Sequence, residues 1–185
     1  MVKDVLQDAE HRMDSAIKAL EEYLGTIRTG RASPTLVEKL PVEYYGTATP
    51  LMQLATIAAP EPRLLTIKPF DPASLKDIER AIQASELGLT PNNDGKMIRL
   101  VIPALTEERR KELIKVVHHR VEEARVAVRN VRRDANDDLR EFEKEKMISE
   151  DDLKRGQDDL QKLTDKHVEK IDEVGKRKEK EISEV

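Results

Sequence analysis

All nine prolines of this 185-residue chain fall between Pro34 and Pro103, and none occurs in residues 1–33 or 104–185. A proline inside a helix removes a hydrogen bond and clashes with the preceding turn, at a cost of about 3 kcal/mol. The two ends can therefore form long helices, and the middle cannot. Composition points the same way. Charged and hydrophobic residues each make up 38%, aromatics only 3%, and tryptophan is absent. A core so poor in aromatics must be built from Leu, Ile, Val and Ala, which suits helices better than a β-sandwich. The absence of cysteine excludes disulfide scaffolds, Cys-ligated metals and thiol nucleophiles.

Residues 3–28 carry one helical stripe of Leu6, Ala9, Met13, Ala16 with Ile17, Leu20, Leu24 and Ile27. Steps of three and four residues mark one helix face. Gly25 weakens the last turn, so the helix is expected to end between Leu24 and Thr29. Residues 106–147 repeat the pattern with Leu113, Val117, Val121, Ala124, Val128, Val131, Ala135, Leu139 and Phe142. Thr106 is an N-cap residue type, and Glu107 and Glu108 suit the positive end of the helix dipole. After a break near Met147 and Ile148, Ser149 followed by three acids reads as a second N-cap. The last helix shows Leu153, Leu160, Leu163, Val168, Ile171 and Val174, and frays towards Val185. Gly156 and Gly175 weaken it, at about 1 kcal/mol each. Three amphipathic helices that cannot bury their stripes alone predict one three-helix bundle.

The middle reads as a small β/α unit. Strand-like runs occupy 41–45, 55–58, 63–68 and 97–102. Asp71-Pro72 opens a helix with Leu75, Ile78 and Ile82 on one face, closed by Gly88, and residues 92–95 form a turn. The predicted fold class is α+β, mostly α, with a long three-helix bundle over 1–30 and 105–185. The inserted small β/α domain covers 31–104. Its junctions include Gly30, Arg31, Ala32, Ser33 and Pro34 on one side. Ile102, Pro103, Ala104 and Leu105 lie on the other. Two short parallel linkers read either as a hinge that permits a swivel or as a rigid pair.

No phosphate-cradling loop, nucleophile elbow or His-Glu-x-x-His motif is present. His118 and His119 are sequence neighbours, so on a helix they point about 100° apart and cannot grip zinc as a pair. His11 and His167 complete the set, and all four read as solvated or flanking residues. The chain has neither a membrane-length apolar run nor a signal-peptide pattern, which predicts a soluble cytoplasmic protein.

The net charge of −4 argues against bulk, nonspecific nucleic-acid binding, but the charges are sorted. Residues 109–133 hold nine basic and three acidic side chains, and residues 134–159 hold eleven acidic and five basic. Within the basic block, Arg125, Arg129 and Arg132 fall at i, i+4 and i+7 on one helix face, with Arg133 on the adjoining edge. Arginine forks match phosphate oxygens, and a rigid row of them suits structured RNA. The alternative is that these arginines pair with acids on the neighbouring helices, as coiled-coil flanks do. A helical interaction or adaptor module using the apolar seam is the competing function.

Residues 27–34 (Ile-Arg-Thr-Gly-Arg-Ala-Ser-Pro), 42–47, 87–92, 105–111, 124–137, 148–152 and 157–165 carry long, specific motifs. Through them the sequence closely resembles the bacterial ribosome recycling factors, over the whole chain. The resemblance implies an L-shaped, two-domain, non-enzymatic translation factor without a cofactor. It implies that the factor splits post-termination ribosomes together with elongation factor G, which uses the GTP. The bundle would lie on 23S-type RNA of the large ribosomal subunit. The small domain would swivel about its hinge and meet elongation factor G. Carried over by motif, Arg110, Arg129 and Arg132 would contact RNA, with Arg28 and Arg31 as helpers. A monomer with no membrane association is expected.

Overall fold

The computed structural model describes residues 1–184; Val185, the predicted end of the bundle segment, lies outside them. The chain divides into two compact units, one formed by 1–28 with 107–184 and one by 29–106.

The first unit is built from α1 (Val2–Gly25), α3 (Glu107–Lys144) and α4 (Glu150–Ser183), each packed on the other two. α1 ends within the expected window, one residue before the C-cap Thr26. At 1.5 Å per residue α3 is a rod of about 57 Å. It stops three residues short of the predicted end. Lys146 takes a left-handed φ of 60°, the Lys146 N–H donates to Glu143 O at 2.9 Å, and the Met147 N–H donates to Phe142 O at 2.8 Å. This paired closure satisfies the last carbonyls, with a lysine where glycine is usual. α4 then starts on a complete capping box: the Asp152 N–H donates to Ser149 Oγ, and the Ser149 N–H to the Asp152 carboxylate. Those bonds also hold the Asp152 carboxyl below its usual pKa.

Cross-helix pairs fix the directions. Arg125 meets Asp172, Arg132 meets Gln161 and Asn136 meets Gln157, so α3 and α4 run antiparallel. Arg12 meets Asp134 and Tyr23 meets Arg120, so α1 runs antiparallel to α3. Val2 lies beside Gly156 and Asp14 meets His167, so α1 runs parallel to α4. The predicted seams of α1 and α3 are buried from Ala9 to Leu24 and from Leu113 to Leu139. The α4 seam departs from expectation. Its buried line is Gly156, Leu160, Thr164, His167, Ile171, Gly175 and Ile182, while Leu153, Leu163, Val168 and Val174 are half-buried. The reason is close approach. A Cβ on Gly175 would stand 2.7 Å from Val121 Cγ2, and one on Gly156 3.1 Å from Val2 Cγ1 and 3.2 Å from Leu139 Cδ1. Thr164 turns its hydroxyl onto Leu160 O at 2.8 Å. The solvated reading of His167 is corrected: the residue is buried, with Nδ1 2.7 Å from Leu163 O and Nε2 2.8 Å from Asp14 Oδ1.

The second unit holds a hairpin of β1 (Pro41–Tyr44) and β2 (Thr47–Pro50), the helix α2 (Leu75–Ala84), and an antiparallel sheet. That sheet comprises β3 (Ala55–Glu61), β4 (Leu64–Pro69), β5 (Pro91–Asn93) and β6 (Ile98–Val101), in the order β3-β4-β6-β5. β2 and β5 were not predicted. The hairpin turns on two left-handed residues, Tyr45 and Gly46, where an Asn-Gly pair would have signalled it. Asn92 and Asn93 lie in β5, so the turn is confined to the residues that follow. Pro60 and Pro91 sit on the two edge strands, where a missing N–H is tolerated. Gly88 does not close α2. Ser85 does, in an extended conformation with its hydroxyl donating to Ile82 O at 2.6 Å. One core of Val37, Val42, Leu51, Leu65, Ile67, Ile78, Ile82, Ile98 and Leu100 holds the unit together.

The residues read as junctions are woven into this second unit. The Ala32 N–H donates to Pro62 O at 2.6 Å and the Ile102 N–H to Arg63 O at 2.8 Å, so both segments hang on the β3–β4 turn. Ala32 and Ile102 belong to the core, and Ser33 caps the 3-10 turn Pro34–Leu36. Gly30 has φ +78°, and a Cβ there would come within 3.4 Å of Leu105 and of Pro103 O.

Two outcomes follow. Gly175→Ala should lower stability by about 1 kcal/mol or more, because β-branched Val121 cannot yield and overpacking outweighs the gain in helix propensity. Gly25→Ala, with no neighbour within 4 Å, should be neutral or stabilising by up to about 1 kcal/mol. Urea unfolding of both variants checks the pair; equal midpoints would contradict the seam. Asp94 supplies the second outcome. The N–H groups of Met97 and Lys96, then Arg99, lower its pKa to about 2 from an unfolded 3.8. Its stabilisation is full above pH 3.8 and fades as pH falls towards 2. Asp94→Asn should thus be less stable than wild type at pH 7 and converge with it only below about pH 2, followed by thermal melts across pH.

Candidate nucleic-acid interface

The basic block lies on the first two-thirds of α3, and the helix holds it as a rigid row. The structure gives its members different neighbours. Arg109 pairs with Glu112 at 3.0 Å and Lys111 with Glu107 at 3.7 Å, both along the first turns of α3. Arg120 lies over the Tyr23 ring, 3.8 Å from its centroid, and bonds Glu123 at 3.3 Å. That contact fastens α1 to α3 by cation–π attraction.

Arg125 is held from two sides. Its Nε donates to Asp172 Oδ1 at 2.9 Å, its Nη2 makes a second, shorter contact to the same oxygen, and its Nη1 donates to Glu122 at 3.0 Å. Asp172 first, then Glu122, raise its pKa further above the ordinary guanidinium value. For Arg125 the pairing alternative therefore describes what the structure contains. Arg129 stands 3.6 Å from Glu122 and keeps half its side chain exposed. Arg132 donates from Nη1 to Gln161 Oε1 at 3.2 Å, and Arg133 is exposed on the adjoining edge. Arg129 and Arg132 line a groove against α4, whose other wall carries Gln161, Asp165, Glu169 and Asp172.

The structure thus brings Arg125, Arg129, Arg132 and Arg133 onto one stretch of α3. Arg110 is half-buried near the start of the helix, about 22 Å from Arg125 at 1.5 Å per residue. Arg28 is exposed in the bundle unit and Arg31 is exposed in the small unit. Sequence reasoning missed Gln161, Asp165 and Asp172. Their signal was the antiparallel register across the Met147–Ser149 turn, which pairs positions whose numbers sum to about 295. Beyond Arg133 the acid Asp134 pairs with Arg12 across the exposed edge of α1 and α3 at 2.9 Å, and the neutral Asn136 accepts from Gln157 of α4 at 2.7 Å.

Among the described residues no group of His, Asp and Glu is placed to hold a metal ion, and no helix is long and apolar enough to cross a membrane. His118 pairs with Glu179, and His119 with Glu123 at 2.9 Å, both exposed histidines on α3. The site has basic forks on a stiff surface and no arranged nucleophile, acid or base. It can bind anionic backbone and hold it in register.

Comparison with known proteins identifies the family. The family model for ribosome recycling factor matches residues 20–182. The ribosome-recycling factor of Halalkalibacterium halodurans is 59% identical over 185 residues, covering all of both chains. That of Carboxydothermus hydrogenoformans is 58% identical over 182 residues, 98% of each. A solution structure of the ribosome recycling factor superposes with a TM-score of 0.73 at 44% identity, covering 100% of this chain and 98% of that one. Models of the T. thermophilus ribosome recycling factor and the E. coli elongation factor G bound to the E. coli post-termination complex give a TM-score of 0.62. Identity there is 45% over 98% of each chain. With the match running through both units, the chain belongs to the ribosome recycling factor family.

Proposed function

We propose that this protein recycles ribosomes after termination, splitting the post-termination complex together with elongation factor G. Ribosome recycling factors are non-enzymatic translation factors. The observation that carries the reading is the face of exposed Arg129 and Arg133 with half-buried Arg132 on one rigid helix. In this reading the bundle docks that face on phosphates of the large-subunit RNA, with Arg28, Arg31 and Arg110 as further contacts. Arg125 keeps the face in place through Asp172. The protein works as a monomer in the cytoplasm, without a cofactor, and GTP hydrolysis occurs on elongation factor G. A relative described together with that elongation factor on the post-termination complex supports the choice of partners.

The small unit is the part that moves. Its swivel falls at the outer ends of the two connecting segments, around Gly30 with Arg31 and at Pro103 to Leu105. Ala32 and Ile102 are tied to the β3–β4 turn and travel with the unit. The push of the moving GTPase reaches the ribosome through a bundle stiff enough to transmit it. The adaptor reading has less support, since the α3 seam it needs is filled by α1 and α4.

Sedimentation with 70S ribosomes at two salt concentrations tests the docking. The wild type should co-sediment as a monomer. Arg129→Ala/Arg132→Ala should bind at least about tenfold more weakly, with a salt slope smaller by about two phosphate contacts. Equal binding at both salts would sink the contact assignment. The swivel is tested with an engineered cysteine pair joining the two units, which the cysteine-free chain makes unambiguous. Oxidation should abolish splitting while sparing initial binding; splitting that survives the cross-link contradicts the leverage mechanism.

A further inference from the structure

Two arginines on one face of α3 are met by different chemistry from α4. Arg125 faces the Asp172 carboxylate and is flanked by Glu122. Arg132, seven residues further along, faces the neutral side-chain oxygen of Gln161 at 3.2 Å. The Gln161 amide is not free to turn. Its Nε2 donates to Asp165 Oδ1 at 2.8 Å, one turn further along α4. That bond sets which end of the amide looks at Arg132, because its NH2 end would place donor against donor.

The two arrangements have different consequences. A carboxylate takes up guanidinium N–H groups and neutralises the charge that a phosphate would use. An amide oxygen accepts one of the five N–H groups and leaves the rest, with the full charge. It also restricts a long, many-rotamer side chain before any ligand arrives, and ordering paid for in advance strengthens binding.

We propose that Gln161, oriented by Asp165, is a positioning residue that holds Arg132 ready for a phosphate of the ribosomal RNA, and that Arg125 is by contrast a structural arginine of the α3–α4 seam. This rests on the reading of the arginine face as the ribosome contact. The arginine row is then divided in labour, and the α4 partner decides which arginine does what: carboxylate for the seam, amide for the ligand. Asp165 acts at one remove, by keeping the amide oxygen turned towards α3.

The test titrates vacant 70S ribosomes with wild type, Arg132→Ala, Gln161→Glu and Gln161→Met between 50 and 200 mM salt. Gln161 is exposed, so these variants keep the fold. Arg132→Ala should lose about tenfold in affinity, and its salt slope should fall by about one. Gln161→Glu, which places a carboxylate on Arg132, should do the same. Gln161→Met keeps every charge and loses only the acceptor. It should weaken binding about threefold at every salt, with the slope unchanged, a signature that a merely structural role does not give. If Arg132→Ala weakens binding while Gln161→Met or Gln161→Glu binds like wild type, the positioning role is overturned and the arginine contact stands. If Arg132→Ala itself binds like wild type throughout, the contact reading fails, and the positioning role fails with it.

Discussion

The seam between α3 and α4 sets the geometry on which the rest of the bundle depends. Two glycines let the helices close where a Cβ would strike Val121 or crowd Leu139. The turn between the helices is fixed at both ends, by a left-handed Lys146 and by the capping box of Ser149 and Asp152. Antiparallel register follows, and register decides which α4 side chain each arginine of α3 meets. A shift of one turn would exchange the amide at Arg132 for a different partner. The glycines that look like weak points of a helix are thus the places where the basic face acquires its pattern.

Electrostatics is organised at the same scale. A net charge of −4 hides a basic block and an acidic block on successive stretches of the helical hairpin. Screening at physiological salt acts over about 8 Å, much less than the length of α3, so the two blocks behave as separate surfaces. Within the acidic block Asp134 is taken up by Arg12, and outside it Asp172 is taken up by Arg125. Binding through such a face requires no bond chemistry, in keeping with a family of non-enzymatic factors.

Much of this was legible in the sequence. Proline confinement and the apolar periodicity located the long helices within a few residues, and the arginine row followed from its i, i+4, i+7 spacing. The family resemblance rested on motifs spread through both units. The failures have physical causes. Period counting weights Leu and Val as buried, yet the α4 seam puts Gly, Thr and His inside, because contact distance and local hydrogen bonds decide there. His167 is buried because each ring nitrogen finds an oxygen, one of them on another helix, which spacing along its own helix does not reveal. The strands β2 and β5 are three or four residues long and owe their conformation to the neighbour they pair with. The arginine partners Gln161 and Asp172 lie 29 and 47 residues away in sequence and become visible only when register is known.

The central claim is that the outer arginines of α3 meet ribosomal RNA through phosphates. Chemical footprinting of large-subunit RNA on 70S ribosomes tests it most directly, comparing the wild type with Arg129→Glu/Arg132→Glu. The account predicts a localised set of backbone protections that the charge-reversed protein does not give, even at concentrations well above saturation for wild type. A footprint left unchanged by the reversal would contradict it.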